Sequence, residues 1–268
     1  MTPAPRSVLF VPASNARALE KARTLDCDAV VIDLEDAVGP ADKDAARLAA
    51  VAALPAFEGR AAVRINGADT PWGDDDLTAL SGSSPLAVVL PKAGSADQVR
   101  WAARAGVAVW AMVETLAGVL NLATIAAEPG VEALILGQND LAAEMGALPG
   151  TDRTPLHWAM SLIVTTARRH GQLALDGVFN AFHDQAGFAA ECTQGRAFGF
   201  HGKTLIHPSQ IAAANAAFGP SQAEIAWAHT VVDAYATAGA EDAGVLSIDG
   251  LMVERLHLDQ ARRILGRI

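Results

Sequence analysis

Residues 107–140 read VAVWAMVETLAGVLNLATIAAEPGVEALILGQND. An apolar run over 107–114 ends in an acid, an Ala- and Leu-rich stretch over 119–127 carries helical spacing, and after a Pro-Gly turn a second apolar run over 133–140 ends in another acid. Short continuous apolar runs between turn residues are strands buried on both faces, and a helix between two of them is the crossover of a parallel βαβ unit. The stretch therefore predicts strand, helix, strand, with Glu114 and Asp140 at the two strand ends.

The same alternation extends in both directions. Runs over 7–13, 29–35, 61–66 and 86–92 precede this segment, and runs over 173–179 and 198–207 follow it, making eight in all. Candidate helices lie between them, at 16–25, 42–54, 96–105 and 155–170. Eight βα repeats without a break in composition favour a closed (β/α)8 TIM barrel, which typically runs to about 250 residues, over an open doubly wound sheet. The open sheet stays as the alternative, although the G-x-G-x-x-G turn of dinucleotide-binding sheets is missing after the first strand. Residues 1–218 are assigned to the barrel and 219–268 to a C-terminal helical extension, with a helix over 221–238, a Gly- and Asp-containing loop over 239–250 and a final helix over 251–266. Such a tail either pads the outside of its own barrel or crosses to cover the mouth of a neighbouring subunit.

Bulk properties narrow the function. The chain of 268 residues is 51% hydrophobic with a mean hydropathy of +0.23, which a sheet buried on both faces accounts for. Its longest apolar runs fall far short of the ~20 residues of a membrane span. A net charge of -10 argues against nucleic acid and anionic membranes as partners and leaves room for an anionic small molecule held by a local basic cluster. Cys27 and Cys192 stand far apart with no C-x-x-C spacing, so neither a zinc site nor a disulfide framework is expected. The N-terminal MTPAPRSVLFVPASN lacks the layout of a signal peptide, and a cytoplasmic location is expected. Residues 195–204, GRAFGFHGKT, miss the first glycine of a phosphate loop and run into a proline where its helix belongs.

Barrel enzymes draw their reacting groups from the C-terminal ends of the strands. Those positions hold Asp33, Glu35 and Asp36 after the second strand, Arg64 and Asn66 after the third, Lys92 after the fourth, Glu114 after the fifth, Asp140 after the sixth, and Lys203 and His207 on the eighth. Glu114 and Asp140, at consecutive strand ends, would repel each other unless a divalent cation let both ionise. An oxygen-only site suits Mg²⁺, with Mn²⁺ as substitute. Arg64 pairs with Glu35 or Asp36, clamps a substrate oxyanion, or does both. Lys203 either binds substrate or pairs with a strand-end acid, and His207, before Pro208, is also a candidate helix cap.

As a set, RSVLFVPASN (6–15), VVIDLEDAV with PADKDAAR (30–47), VRIN (63–66), VLPK (89–92), VETLAGVLN (113–121), GQNDLAAEMG (137–146) and GKTLIHPSQI (202–211) resemble the citrate lyase β-subunit-like CoA-ester lyases of the HpcH/HpaI aldolase superfamily. The resemblance runs nearly end to end. It implies a homotrimeric (β/α)8 barrel that cleaves a 3-hydroxyacyl-CoA, such as citramalyl-CoA, malyl-CoA or citryl-CoA, to acetyl-CoA and a 2-oxo acid. It implies Mg²⁺ at Glu114 and Asp140 and substrate at Arg64. Lys203 is a further substrate-binding candidate, and Glu35 and Asp36 are assigned with Arg64 to the catalytic set. Coenzyme A, as part of the substrate, is expected at the loop after the first strand and the basic residues around it: Arg6, Pro12, Ser14, Arg17, Lys21, Lys43 and Arg47. Free-acid aldolases of the superfamily carry a histidine where this chain has Asp36, which favours CoA esters. The family's C-terminal D-G-x-M-[IV]-D motif, whose last aspartate donates a proton from a neighbouring subunit, reads DGLMVE here, so that acid is Glu254. Alternatives carried by the same residues are a subunit active only in a partner complex, and malate synthase or thioesterase activity.

Overall fold

Eight parallel strands close into a barrel in chain order: β1 (Ser7–Pro12), β2 (Ala29–Asp33), β3 (Ala61–Arg64), β4 (Val88–Leu90), β5 (Val109–Val113), β6 (Val131–Leu136), β7 (Leu173–Asp176) and β8 (Gly202–Leu205). β8 pairs back onto β1, Val8 opposite Thr204, and this closure excludes the open doubly wound alternative. The computed structural model describes residues 4–148, 152–237 and 244–266. It divides into two compact units, Ala4–Asn215 and a C-terminal unit from Ala216.

Each crossover of the first unit carries helix: α1 (Ala16–Ala22), α2 (Lys43–Ala53), α3 (Gly73–Leu80), α4 (Ala96–Ala102), the pair α5 (Leu116–Leu120) and α6 (Leu122–Ala126), α7 (Gln138–Glu144) with α8 (His157–His170), and α9 (Gln185–Phe198). A last helix, α10 (Ile211–Phe218), spans the boundary between the units. Helix α3 lies where no helical period is evident, because only Leu77 and Leu80 are large apolar residues; Asp74, Asp75 and Asp76 in its first turn favour an N-terminus there. The sixth apolar run breaks at Gly137, so Gln138, Asn139 and Asp140, expected at the end of a strand, form the first turn of α7.

Strand side chains alternate between the barrel interior and the helical layer. Val8, Val31, Ala62, Val89, Trp110, Met112, Ile135 and Leu175 pack together as one buried cluster, with Phe10 against it. One step further along the same parity stand Asp33 after Val31, Arg64 after Ala62 and Glu114 after Met112. The apolar plug thus gives way to charged side chains only at the top layer.

The C-terminal unit consists of α11 (Gln222–Thr237), β9 (Val245–Ile248), β10 (Leu251–Glu254) and α12 (Arg255–Leu265). The helix expected over 251–266 begins only at Arg255. Asp249 and Gly250 hold φ of 50° and 78°, and Ile248 pairs with Leu251, the two-residue turn that joins antiparallel strands. Residue 238 of the expected helix and residues 239–243 of the expected loop lie outside the described residues. The unit has its own core of Ala228, Val231, Tyr235, Val253, Leu258 and Ala261, and the Tyr235 hydroxyl donates to the Val253 carbonyl at 3.1 Å. Among the described residues no helix is long and apolar enough to cross a membrane.

Candidate active site

A cavity of about 440 Å³ opens at the C-terminal ends of the barrel strands, with Asp33, Asp36, Arg64, Glu114 and Asp140 in its wall. Arg64 lines it from the end of β3. Its guanidinium meets the Asp33 carboxylate face to face, Nε donating to Oδ1 at 2.7 Å and Nη2 to Oδ2 at 2.6 Å. Nη1 lies 3.0 Å from Glu35 Oε2, and Phe10 packs its ring 5.1 Å from the guanidinium carbon. Burial would lower the Arg64 pKa, but the Asp33 hydrogen bonds and the charges of Asp33 and Glu35 raise it further, so the cation never titrates. The fork also fixes its plane, and Asp33 occupies only part of its donor set.

Of the two partners expected for Arg64, Glu35 is paired with it and Asp36 is not. Asp33 is the main anchor, and Asp36 is 60% exposed on the cavity rim. Asp33 shares the inward parity of Val31, a signal present in the sequence. Glu35 is buried between two cations, Arg64 and Lys92, and the Lys92 ammonium hydrogen-bonds its Oε1. Its Oε2 has no aligned donor despite the nearby guanidinium. Burial pushes the Glu35 carboxyl up, against the pull of Arg64 and Lys92.

Glu114 follows β5 and is only 3% exposed. Its Oε1 accepts the backbone N–H of Lys92 at 2.7 Å. Burial, with Glu35 adding to it, pushes its carboxyl up to about 8 against the opposing pull of that N–H, Arg64 and Lys92. Asp140, in the first turn of α7, is 45% exposed and lines the same cavity. Gly137 stands between them: a Cβ there would collide with Cβ and Oε2 of Glu114, so the chain can turn from β6 into α7 only where the side chain is hydrogen. Among the described residues no group of three or more His, Cys, Asp or Glu is arranged to hold a metal. Among the carboxylates of the cavity, Glu114 and Asp140 offer oxygen donors, and Glu114 is buried and costly to ionise alone. That set fits a hard divalent cation completed by ligand oxygens and water.

Several basic residues expected at the ligand are engaged elsewhere. Lys203 is fully buried, its ammonium bonded to Asp176 Oδ2 at 3.0 Å, Gly177 O at 2.5 Å and Glu191 Oε1 at 2.7 Å. Thr204 lines the cavity, so its neighbour Lys203 takes the opposite parity, toward α9. Lys43 directs all its protons to Leu34 O, Glu35 O and Asn66 Oδ1 at 2.7–2.8 Å. Arg47 pairs with Asp76 and Asp44. Arg6 precedes β1, at the opposite end of the barrel, and forks onto Asp28 at 2.8 and 2.9 Å. The structure does not bring these four to the cavity.

Pro12 lines the cavity, and Ser14, Arg17 and Lys21 follow it in the turn and helix after β1. Pro12 closes β1 in the cavity wall and Ser14 is exposed in the turn after it. Asn15 caps α1 by accepting from Ala18 N at 3.0 Å, which presents Arg17 and Lys21, four apart and exposed, on one helix face. His207 serves as a cap, its Nδ1 accepting from Ser209 N at 3.2 Å. Glu254 belongs to the C-terminal unit, where it is the N-cap of α12 and its N–H donates to His257 Nδ1 at 2.9 Å.

Comparison with known proteins agrees with this geometry. The profile of the family described as HpcH/HpaI aldolase/citrate lyase matches residues 6–208. A (3S)-malyl-CoA thioesterase of Cereibacter sphaeroides is 45% identical over 98% of this chain and 94% of its own length. An L-malyl-CoA/beta-methylmalyl-CoA lyase of the same organism is 35% identical over 97% of this chain and 93% of its own. The crystal structure of CitE from Mycobacterium tuberculosis, in complex with magnesium, acetoacetate and coenzyme A, superposes with a TM-score of 0.87 at 35% identity, covering 99% of this chain and 98% of that one.

Proposed function

This chain belongs to the HpcH/HpaI aldolase/citrate lyase family and is an enzyme of that lyase family, and from that premise we propose that it cleaves a malyl-type CoA thioester to acetyl-CoA and a 2-oxo acid. The observation that carries the reading is the cavity itself, lined together by Glu114, Asp140 and the locked Arg64. Glu114 and Asp140 would hold Mg²⁺, which when bound supplies Lewis-acid polarisation of substrate oxygens. CitE, crystallised with magnesium and coenzyme A, and the two malyl-CoA enzymes support both the metal and the thioester.

The chain's own residues divide the remaining work. Asp36, exposed on the rim, takes the proton from the substrate's hydroxyl. The bond between the hydroxyl-bearing carbon and the carbon next to the thioester then breaks, leaving its electron pair as a thioester enolate. Arg64 stabilises that oxyanion through the N–H groups Asp33 leaves over, in a geometry set before substrate arrives. Glu35 positions Arg64 and Lys92. Arg17 and Lys21 hold the anionic groups of coenzyme A. Glu254, delivered by a neighbouring subunit of a homotrimer, returns a proton to the enolate carbon. It is one methylene longer than the family's aspartate, a difference that displaces the proton donor by about 1 Å.

A second reading is hydrolysis of the same thioester to the free hydroxy acid and coenzyme A, favoured by the 45% identity to a thioesterase against 35% to the lyase. One assay separates them. Malyl-, citramalyl- and citryl-CoA are each incubated with and without Mg²⁺, with Glu114→Gln as the blank. Acetyl-CoA and a 2-oxo acid without free thiol is the expected result; free thiol with the hydroxy acid assigns the thioesterase, and no turnover of any thioester overturns both.

A further inference from the structure

Lys92 touches more of the acidic mouth than any residue so far given a role there. It stands two residues beyond β4 with φ at 48°, a left-handed conformation that residues other than glycine rarely adopt. Its backbone N–H donates to Glu114 Oε1 at 2.7 Å. Its ammonium hydrogen-bonds Glu35 and lies 3.7 Å from Asp36 Oδ2 and 4.0 Å from Asp140 Oδ2. Acids carried by β2, β5 and α7 therefore converge on one residue. Lys43 and Lys203 are buried with their protons committed, whereas the Lys92 side chain is 47% exposed and faces the carboxylates of Glu35, Asp36 and Asp140.

We propose that Lys92 is a positioning residue, an internal counter-cation that gathers the carboxylates of the mouth and sets how tightly Glu114 and Asp140 take up a divalent cation. This rests on the reading of those two acids as the metal-holding pair. An ion entering there shares Asp140 with the ammonium and is repelled by it. A unit charge acting on a divalent ion across about 6 Å of water-like dielectric corresponds to about tenfold in affinity. Removing the ammonium should therefore tighten cation binding. A residue that merely braced its loop would leave affinity unchanged or weaken it.

The test is calorimetric titration of MgCl2 into chelator-treated full-length protein: wild type, Lys92→Met, Lys92→Asn and Lys92→Arg. Asn is favoured at positive φ, so that variant keeps the backbone and its N–H to Glu114 even if the Met variant folds poorly. Both neutral variants are expected to bind Mg²⁺ about tenfold more tightly than wild type, and Lys92→Arg to match wild type. Wild-type binding with unchanged or weaker binding in the neutral variants overturns the counter-cation role alone, as does tightening in Lys92→Arg. No uptake by wild type or any variant overturns the metal-holding reading and this role with it.

Discussion

Asp33 holds Arg64 through two parallel hydrogen bonds of 2.7 and 2.6 Å, with 2% and 11% of the two side chains exposed. Removing one member of a buried, charged pair leaves the other without compensation, at a cost of about 3–5 kcal/mol. Asp33→Asn is expected to fall at the low end of that range in urea unfolding, because Glu35 still faces the guanidinium, and to lower kcat. Arg64→Lys keeps the charge and loses the fork, so kcat should drop by about 100-fold. An Arg64→Lys enzyme that turned over at the wild-type rate would remove the oxyanion role.

Gly137 is required by Glu114. In Gly137→Ala the new methyl meets Cβ and Oε2 of Glu114, so either the carboxylate rotates or α7 retreats with Asp140. The cost should be about 1–3 kcal/mol of stability and about tenfold or more in Mg²⁺ affinity. Thermal unfolding across an Mg²⁺ series reads both.

The Glu114 carboxyl, raised by burial from 4.5 to about 8, gives the metal-free protein a definite pH response. The unfolded chain ionises this group first, so its contribution to stability is complete below pH 4.5 and is lost as pH rises through about 8. With chelator present, Tm should fall between about pH 6 and pH 9, and Mg²⁺ should restore more at the upper value. Glu114→Gln should lose both the slope and the Mg²⁺ response. Equal Mg²⁺ shifts at both pH values would contradict this assignment.

The basic residues divide by place. Arg17→Ala and Lys21→Ala are each expected to raise KM for the CoA thioester about threefold, an effect that shrinks in salt, as exposed charges do. Arg6→Ala and Lys203→Met should leave KM unchanged. Lys203→Met should nonetheless lower Tm, since Asp176 and Glu191 lose a buried partner. Steady-state kinetics at two ionic strengths distinguish the groups.

All eight strands lie within or overlap the apolar runs, because a parallel sheet buried on both faces leaves a continuous apolar trace. The strand ends are less legible. Asp140 reads as the last residue of a run, but Gly137 breaks the strand and a helix begins at Gln138. The hairpin in the tail carries a Asp-Gly turn that is legible in itself; the strong helical period of 255–265 extended the helix reading across it. Lys203 and Thr204 are adjacent and chemically plausible alike, and only the parity of the closed sheet separates them.

The sequence by itself determined the eightfold alternation, the acids that follow the fifth and sixth strands, and the kinship to CoA-ester lyases, since each is written in local pattern and residue identity. Only the tertiary structure decided which charges face the cavity and which are locked away. Asp33 is separated from Arg64 by 31 residues, and Lys92 from Glu35 by 57. An ion pair forms where barrel closure and strand parity bring its members together, and neither distance is encoded in the neighbours of either residue.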